Sequence, residues 1–263
     1  MSHAIQGITI AMRMIPSVIP SPADISLPES ILRATFADKG IILITGPTGS
    51  GKSTTMATML EYINNNSYRH IITLEDPVEF VYQNKKSLIH QRELGKQFDS
   101  FGEGIRSILR EDPDVIVIGE MRDLETMQAA ITLAETGHLV FSTLHTNDTV
   151  QTVDRIIQSF PVAAQNQIRM QFALSMRAIL SQVLLPKSDT TGMVVAREIM
   201  FNNDSVRNLI IRGETQNLYS VLELGKQNGM ILMDESIRNL VRSHKIYNKT
   251  AQMSMRDPSK LDT

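Results

Sequence analysis

The residues Gly46-Pro47-Thr48-Gly49-Ser50-Gly51-Lys52-Ser53-Thr54 fit the spacing G-x-x-x-x-G-K-[ST], a pattern suited to holding phosphates. Glycines let the backbone wrap close to an anion, so that successive N–H groups and the start of the next helix face it. Lys52 adds a point charge and the Ser53 hydroxyl can ligate Mg²⁺. A glycine-rich turn with a chance lysine is the plain alternative. The flanks argue against it, because a β-prone run precedes the loop and a half-buried helical pattern follows.

Such a loop needs acid near the end of a neighbouring strand, to hold the metal or to orient water for in-line attack. Glu120 directly follows the apolar run "DVIVIG", so it is expected to align the attacking water. A helix N-terminal carboxylate with no catalytic duty is the other reading. Glu75 and Asp76 end the run "HIITLE" and its turn, where parallel sheets bind ligands. One or both are expected to serve Mg²⁺ or water; otherwise they are acids of an Asp-Pro turn.

His138 and His145 bracket the run "LVFSTL". Seven residues along a strand separate them by about 20 Å, so they cannot share one ion. His145 falls on the same sheet edge as Lys52, Glu75 and Glu120, where an imidazole can sense the γ-phosphate or its water. His138 falls at the opposite end, where spacing gives it a structural role.

Positioning these groups requires strands alternating with helices. "GIILIT" (40–45), "HIITLE" (70–75), "DVIVIG" and "HLVFSTLH" are fully apolar strand candidates, and "YQNKKSLIHQRELG" is a β excursion. Met56, Met59, Leu60 and Ile63 have the i, i+3, i+4, i+7 spacing of a helix. Ser100 and Glu103 form a capping box for a helix carrying Ile105, Ile108 and Leu109, closed by Pro113. A further helix begins near Asp123 and ends at Gly137, an αL cap. The expectation is an α/β fold with a mostly parallel sheet covered by helices on both sides. After Pro161 a long helix is expected over about 162–183, then a strand "MVVAREIM", then helices near 204–212, 215–227, 232–244 and 248–255. Divided by character, residues 1–30 are an extended arm, 31–186 a core and 187–263 a mainly helical lobe.

Composition excludes several classes. With 42% hydrophobic and 21% charged residues the chain is globular. Its net charge of −2 gives no basic field for nucleic acid or an anionic membrane. No cysteine is present, which removes disulfides, thiolate zinc sites and cysteine nucleophiles, and fits a reducing cytoplasm. The longest apolar runs fall far short of the roughly 20 residues of a membrane helix, and no secretion signal opens the chain. Contact with a membrane is therefore expected only through partners.

Taken together, "GPTGSGKSTT", "IITLEDPVEF", "REDPDVIVIGEMRDLET" and "AETGHLVFSTLHTN" resemble the Walker A, aspartate box, Walker B and histidine box of the secretion ATPase superfamily. "GEMRD" and "SVRNLIIRGETQNLYS" (205–220) are similar to its pilus-retraction branch, with Ser205 where that branch usually has Ala. The lack of cysteine speaks against branches carrying a tetracysteine zinc insertion. The resemblance, over about residues 8–245, implies a RecA-like motor. Such a motor assembles as a homohexameric ring, hydrolyses ATP with Mg²⁺ at subunit interfaces, and returns pilins to the inner membrane. It implies an inner-membrane platform protein and a related pilus ATPase as partners, at the cytoplasmic face. By the same resemblance Gly46 to Thr54 bind ATP, Glu75 is the aspartate-box acid, Glu120 the catalytic glutamate, and both His138 and His145 belong to the histidine box. Arg207, Asn208 and Leu209 fall in the C-terminal motif needed for retraction, or in the core of the lobe. The family carries a PAS-like N-terminal domain that sends arginines to a neighbour's phosphates. Here "AMRMIPS" resembles only the linker after it, with Arg13 matching an interface arginine or simply solvated. Two other readings stay open, a general secretion or DNA-transfer ATPase and a nucleotide-binding module that does not hydrolyse.

Overall fold

Strands apolar on both faces are stable only inside a covered sheet, and the computed structural model, which describes residues 2–4, 7–9 and 18–261, contains one. Ser2–Ala4 (β1) and Gly7–Thr9 (β2) pair antiparallel as a separate ribbon within the stretch expected to be an extended arm. Arg13 lies outside the described residues. The helix Glu29–Ala34 (α1) then leads to Gly40–Thr45 (β3), the helix Lys52–Asn66 (α2) and His70–Glu75 (β4). The β excursion contributes an edge strand, Leu88–Glu93 (β5), parallel to β4. Next come Phe101–Ile108 (α3), Val115–Ile118 (β6), Leu124–Thr136 (α4), Leu139–Leu144 (β7) and Thr149–Gln158 (α5).

The main sheet runs β5-β4-β6-β7-β3-β8-β9, where β8 is Met176–Pro186 and β9 is Met193–Phe201. All neighbours are parallel except β8 and β9. On one face Ile41, Leu43, Ile72, Ile116 and Val140 pack under α3 to α5 and the helix Val162–Ser175 (α6). On the other, Ile42, Ile44, Ile71, Val117 and Phe141 pack under α1 and α2. The covered mixed sheet is the α/β fold that the apolar runs require.

Several local expectations are corrected. The helix expected over 162–183 stops at Ser175, and residues 176–186 form β8 beside β3. The third helix ends at Ile108, well before Pro113, which leaves Leu109 half exposed at its C-cap instead of in the core. Gly137 caps α4 at φ 130°, positive but outside the αL well. The single helix expected over 215–227 is a 3₁₀ turn at Thr215–Asn217, the helix Leu218–Leu224 (α8) and a second 3₁₀ turn at Gly225–Asn228. The remaining helices, Asp204–Arg212 (α7), Met233–Arg242 (α9) and Asn248–Ser254 (α10), match their expected places. Val206, Ile210, Leu218 and Leu222 join the core under the sheet, whereas Leu185, Ile237, Ile246, Ala251 and Met255 form a separate apolar cluster.

Candidate active site

The four central strands β4, β6, β7 and β3 present their carboxyl ends side by side, so the residues that follow them converge. After β3 the chain turns at Gly46, whose φ of 140° is unfavourable for residues with a Cβ. An added Cβ there would also overlap the Gln182 carbonyl oxygen. Gly51, at φ 85°, caps α2. The buried Gln182 side chain braces the loop from β8: its Nε2 donates to the Ser50 carbonyl at 2.7 Å, and its Oε1 accepts from Thr55 Oγ1 at 2.9 Å.

Lys52 begins α2 and reaches back across the loop. Its Nζ donates to the carbonyls of Gly46 (2.8 Å) and Pro47 (3.0 Å). Partial burial lowers its pKa, opposed by the negative charges of Glu120 and Glu79. Nζ also lies 3.4 Å from His145 Nδ1, and His145 Nε2 lies 3.2 Å from Glu120 Oε1. An ammonium can only donate, so Nδ1 accepts and the ring proton at Nε2 is directed to Glu120. The other Glu120 oxygen accepts from Arg122 Nε at 2.9 Å, and Arg122 reaches to within 3.8 Å of Asp76.

Backbone contacts fix this line. Gly119 N–H donates to the Leu74 carbonyl at 2.8 Å, and Thr143 Oγ1 donates to the Gly119 carbonyl at 2.7 Å. The exit of β6 is thereby tied to β4 and β7. Glu75 is held by Thr73 Oγ1 (2.7 Å) and Gln91 Nε2 (3.0 Å), both donating to Oε1. Its pKa is raised, chiefly by burial, despite those two hydrogen bonds.

Lys52, Ser53, Glu75, Glu120 and His145 line one cavity of about 510 Å³, together with Thr48, Gly49, Gly51 and Thr54 of the loop. That volume suits a nucleotide-sized ligand. The Ser50 side chain is buried, with its hydroxyl unpaired, and Pro47 supplies its carbonyl to Lys52. The oxygens of Ser53, Glu75 and Glu120 are hard donors of the kind Mg²⁺ takes. Among the described residues no group of three His, Cys, Asp or Glu could hold a metal by itself.

His138 is not brought to the cavity. It precedes β7 at the opposite sheet edge, where Nδ1 lies 3.1 Å from the Leu133 carbonyl at the end of α4. Arg207 pairs with Asp204 on α7, and Leu209 packs partly buried against the core. Sequence reasoning missed Arg122, Gln182, Gln91 and Thr143. Arg122 stood in the "GEMRD" motif, but nothing there shows which carboxylates it reaches.

Residues 23–259 match the family described as "Type II/IV secretion system protein". The chain is 47% identical over 247 residues to a twitching motility protein of Neisseria gonorrhoeae, covering 94% of this chain and 66% of that one. It is 42% identical over 253 residues to the type IV pilus retraction ATPase PilT of Pseudomonas aeruginosa, covering 96% and 73%. The crystal structure of the pilus retraction motor PilT with bound ADP superposes with a TM-score of 0.89 at 44% identity, covering 95% of this chain and 71% of that one. The chain thus spans about two thirds of the length of these relatives.

Proposed function

Because the chain belongs to the type II/IV secretion system protein family, we propose that it is the ATP-hydrolysing core of a motor that retracts type IV pili. The observation that carries the chemical part is the line Lys52–His145–Glu120, held over the phosphate loop at distances of 3.4 and 3.2 Å. The retraction part rests on relatives named for twitching motility and pilus retraction, which align with almost the whole chain.

In this reading the β- and γ-phosphates of ATP lie against the N–H groups of residues 48–53 and the start of α2. Lys52 exchanges its two carbonyl partners for phosphate oxygens. Ser53, Glu75 and Glu120, with Asp76 directly or through water, would hold Mg²⁺, which would supply neutralising charge at the transferred phosphoryl group. Glu120 accepts a hydrogen bond from the attacking water and sets it in line. His145 spans Lys52 and Glu120, so its contacts change when the γ-phosphate leaves. Arg122 orients Glu120 and balances its charge.

The side chains of Arg122 and His145 are 66% and 44% exposed, so the mouth of the site is open to a neighbouring molecule. That openness supports a homohexameric ring in which the adjacent subunit supplies further cations, Arg13 being the residue of this chain suited to that role. In the ring the inner-membrane platform protein, with a related pilus ATPase, receives the motion. No helix among the described residues is long and apolar enough to cross a membrane. The reading places attachment at the cytoplasmic face, through partners.

The test is genetic. In a strain lacking the gene, surface pili should accumulate and twitching should stop. The intact gene should reverse both, and a Glu120→Gln copy should reverse neither. Normal twitching with impaired protein or DNA export would instead favour a general secretion ATPase.

A further inference from the structure

His145 opens a short loop, residues 145–148, between β7 and α5, and the far end of that loop is buried against the last part of the chain. Asp148 is 3% exposed. Its Oδ1 accepts from Gln151 N–H at 2.7 Å and starts α5, while its Oδ2 takes the Arg256 guanidinium at 2.7 Å. Thr149, the next residue, gives both its N–H (2.9 Å) and its hydroxyl (2.8 Å) to Glu198 Oε1. Glu198 is 1% exposed, and its second oxygen accepts from Met233 N–H, the start of α9, at 3.2 Å. Two carboxyl groups therefore meet in the interior, and burial with the charge of Asp148 pushes the Glu198 pKa up. Arg197 does not neutralise them, because it donates to the Ile25 and Ser26 carbonyls.

Arg256 is itself held in place. Its N–H and that of Asp257 donate to the Asp234 carboxylate at 2.7 and 3.0 Å, its guanidinium covers the Tyr219 ring at 4.2 Å, and Met255 is buried. An aspartate N-cap needs no such cation. Asp123 caps α4 through the Thr126 N–H and hydroxyl, with no cation among these contacts. The cation at Asp148 is an extra contact, beside a hydrogen bond with Tyr219, and it ties the start of α5 to a segment more than a hundred residues further on.

We propose that Arg256 is a positioning residue for His145: through Asp148 it fixes the 145–148 loop, and so couples the C-terminal segment to the contact between His145 and Glu120. Displacing that segment loosens the Asp148 end of the loop, whose Thr146 and Asn147 keep Thr152 and Ser181 as partners, and leaves the phosphate loop in place, since Gln182 braces the latter independently. A partner or neighbouring subunit that moves residues 255–257 thereby gains control over turnover without control over nucleotide affinity. The catalytic consequence rests on the function proposed above; the structural link does not.

The test compares the full chain with Arg256→Ala and Arg256→Lys by amide hydrogen exchange, ADP titration and steady-state Mg-ATP turnover. Arg256→Ala should speed exchange at Thr149 and Gln151 and lower kcat by about 10²-fold, the order expected for a small misplacement of a catalytic group. KM and ADP affinity should stay near their starting values. Arg256→Lys, whose ammonium restores the charge, should recover part of both effects. Unchanged exchange at Thr149 and Gln151 in Arg256→Ala would overturn the link, as would ADP affinity collapsing in parallel with kcat. Absence of turnover in the unaltered chain would count against the proposed function, while the exchange result still decides whether Arg256 holds the loop.

Discussion

The role proposed for Glu120, orienting water, requires its carboxylate to keep one geometry, and three side chains impose it. His145 and Arg122 each take one oxygen, and Lys52 sets the tautomer of His145. Glu75 differs, because burial raises its pKa. Between the ordinary carboxylate range and that raised value, folded Glu75 retains a proton that the unfolded chain has lost. Its contribution to stability is therefore largest below this window and falls as pH rises through it. Urea midpoints measured from acid to neutral pH should show this slope flattened in Glu75→Gln. If the ionised oxygen serves the metal or water, the acid limb of kcat/KM should also lie above the ordinary carboxylate range and vanish in the same variant. Gly46 makes a steric prediction. Gly46→Ala must accept a disfavoured φ and push against the Gln182 carbonyl, a strain of about 1–3 kcal/mol. Denaturant unfolding should report that loss together with weakened ADP binding; unchanged affinity would mean that the loop has room the geometry denies.

The strands and helices that carry the motif residues were legible because each has a local signal: fully apolar runs for β3, β4, β6 and β7, and side-chain caps at Ser100 and Asp123 for α3 and α4. The boundary at Ser175–Met176 has none. No glycine or proline lies between Pro161 and Pro186, and the run "MRAILSQVLL" is buried on both faces, so periodicity cannot separate a buried strand from a continuing helix. The chain passes from α6 into β8 with a single change of backbone at Met176 (φ −59°, ψ 134°). That miss hid Gln182, since only as a strand residue beside β3 does it reach the phosphate loop. Gln182→Ala would leave the Ser50 carbonyl and the Thr55 hydroxyl without this partner, at a cost of about 1–3 kcal/mol. ADP titration should show weaker binding with kcat changed less than affinity. A drop in kcat at constant affinity would place Gln182 elsewhere in the mechanism.

Across the whole molecule, one sheet edge gathers the catalytic candidates and leaves them open to solvent on the side that a neighbour can cover. Long-range contacts bind the later part of the chain to this edge, with β9 contributing Glu198 beneath the histidine loop and the last segment contributing Arg256. None of these contacts has a local sequence signal, because a buried carboxylate and its donors are separated by dozens of residues. Completion of the site by a neighbour is the central claim of the motor reading, and an arginine supplied across an interface can change rate by roughly 10³–10⁵. The most direct measurement is steady-state Mg-ATP hydrolysis by this chain as a function of protein concentration, beside Glu120→Gln. The account predicts turnover that rises more steeply than linearly with concentration and disappears in the variant. Turnover strictly proportional to concentration, or surviving in Glu120→Gln, would contradict it.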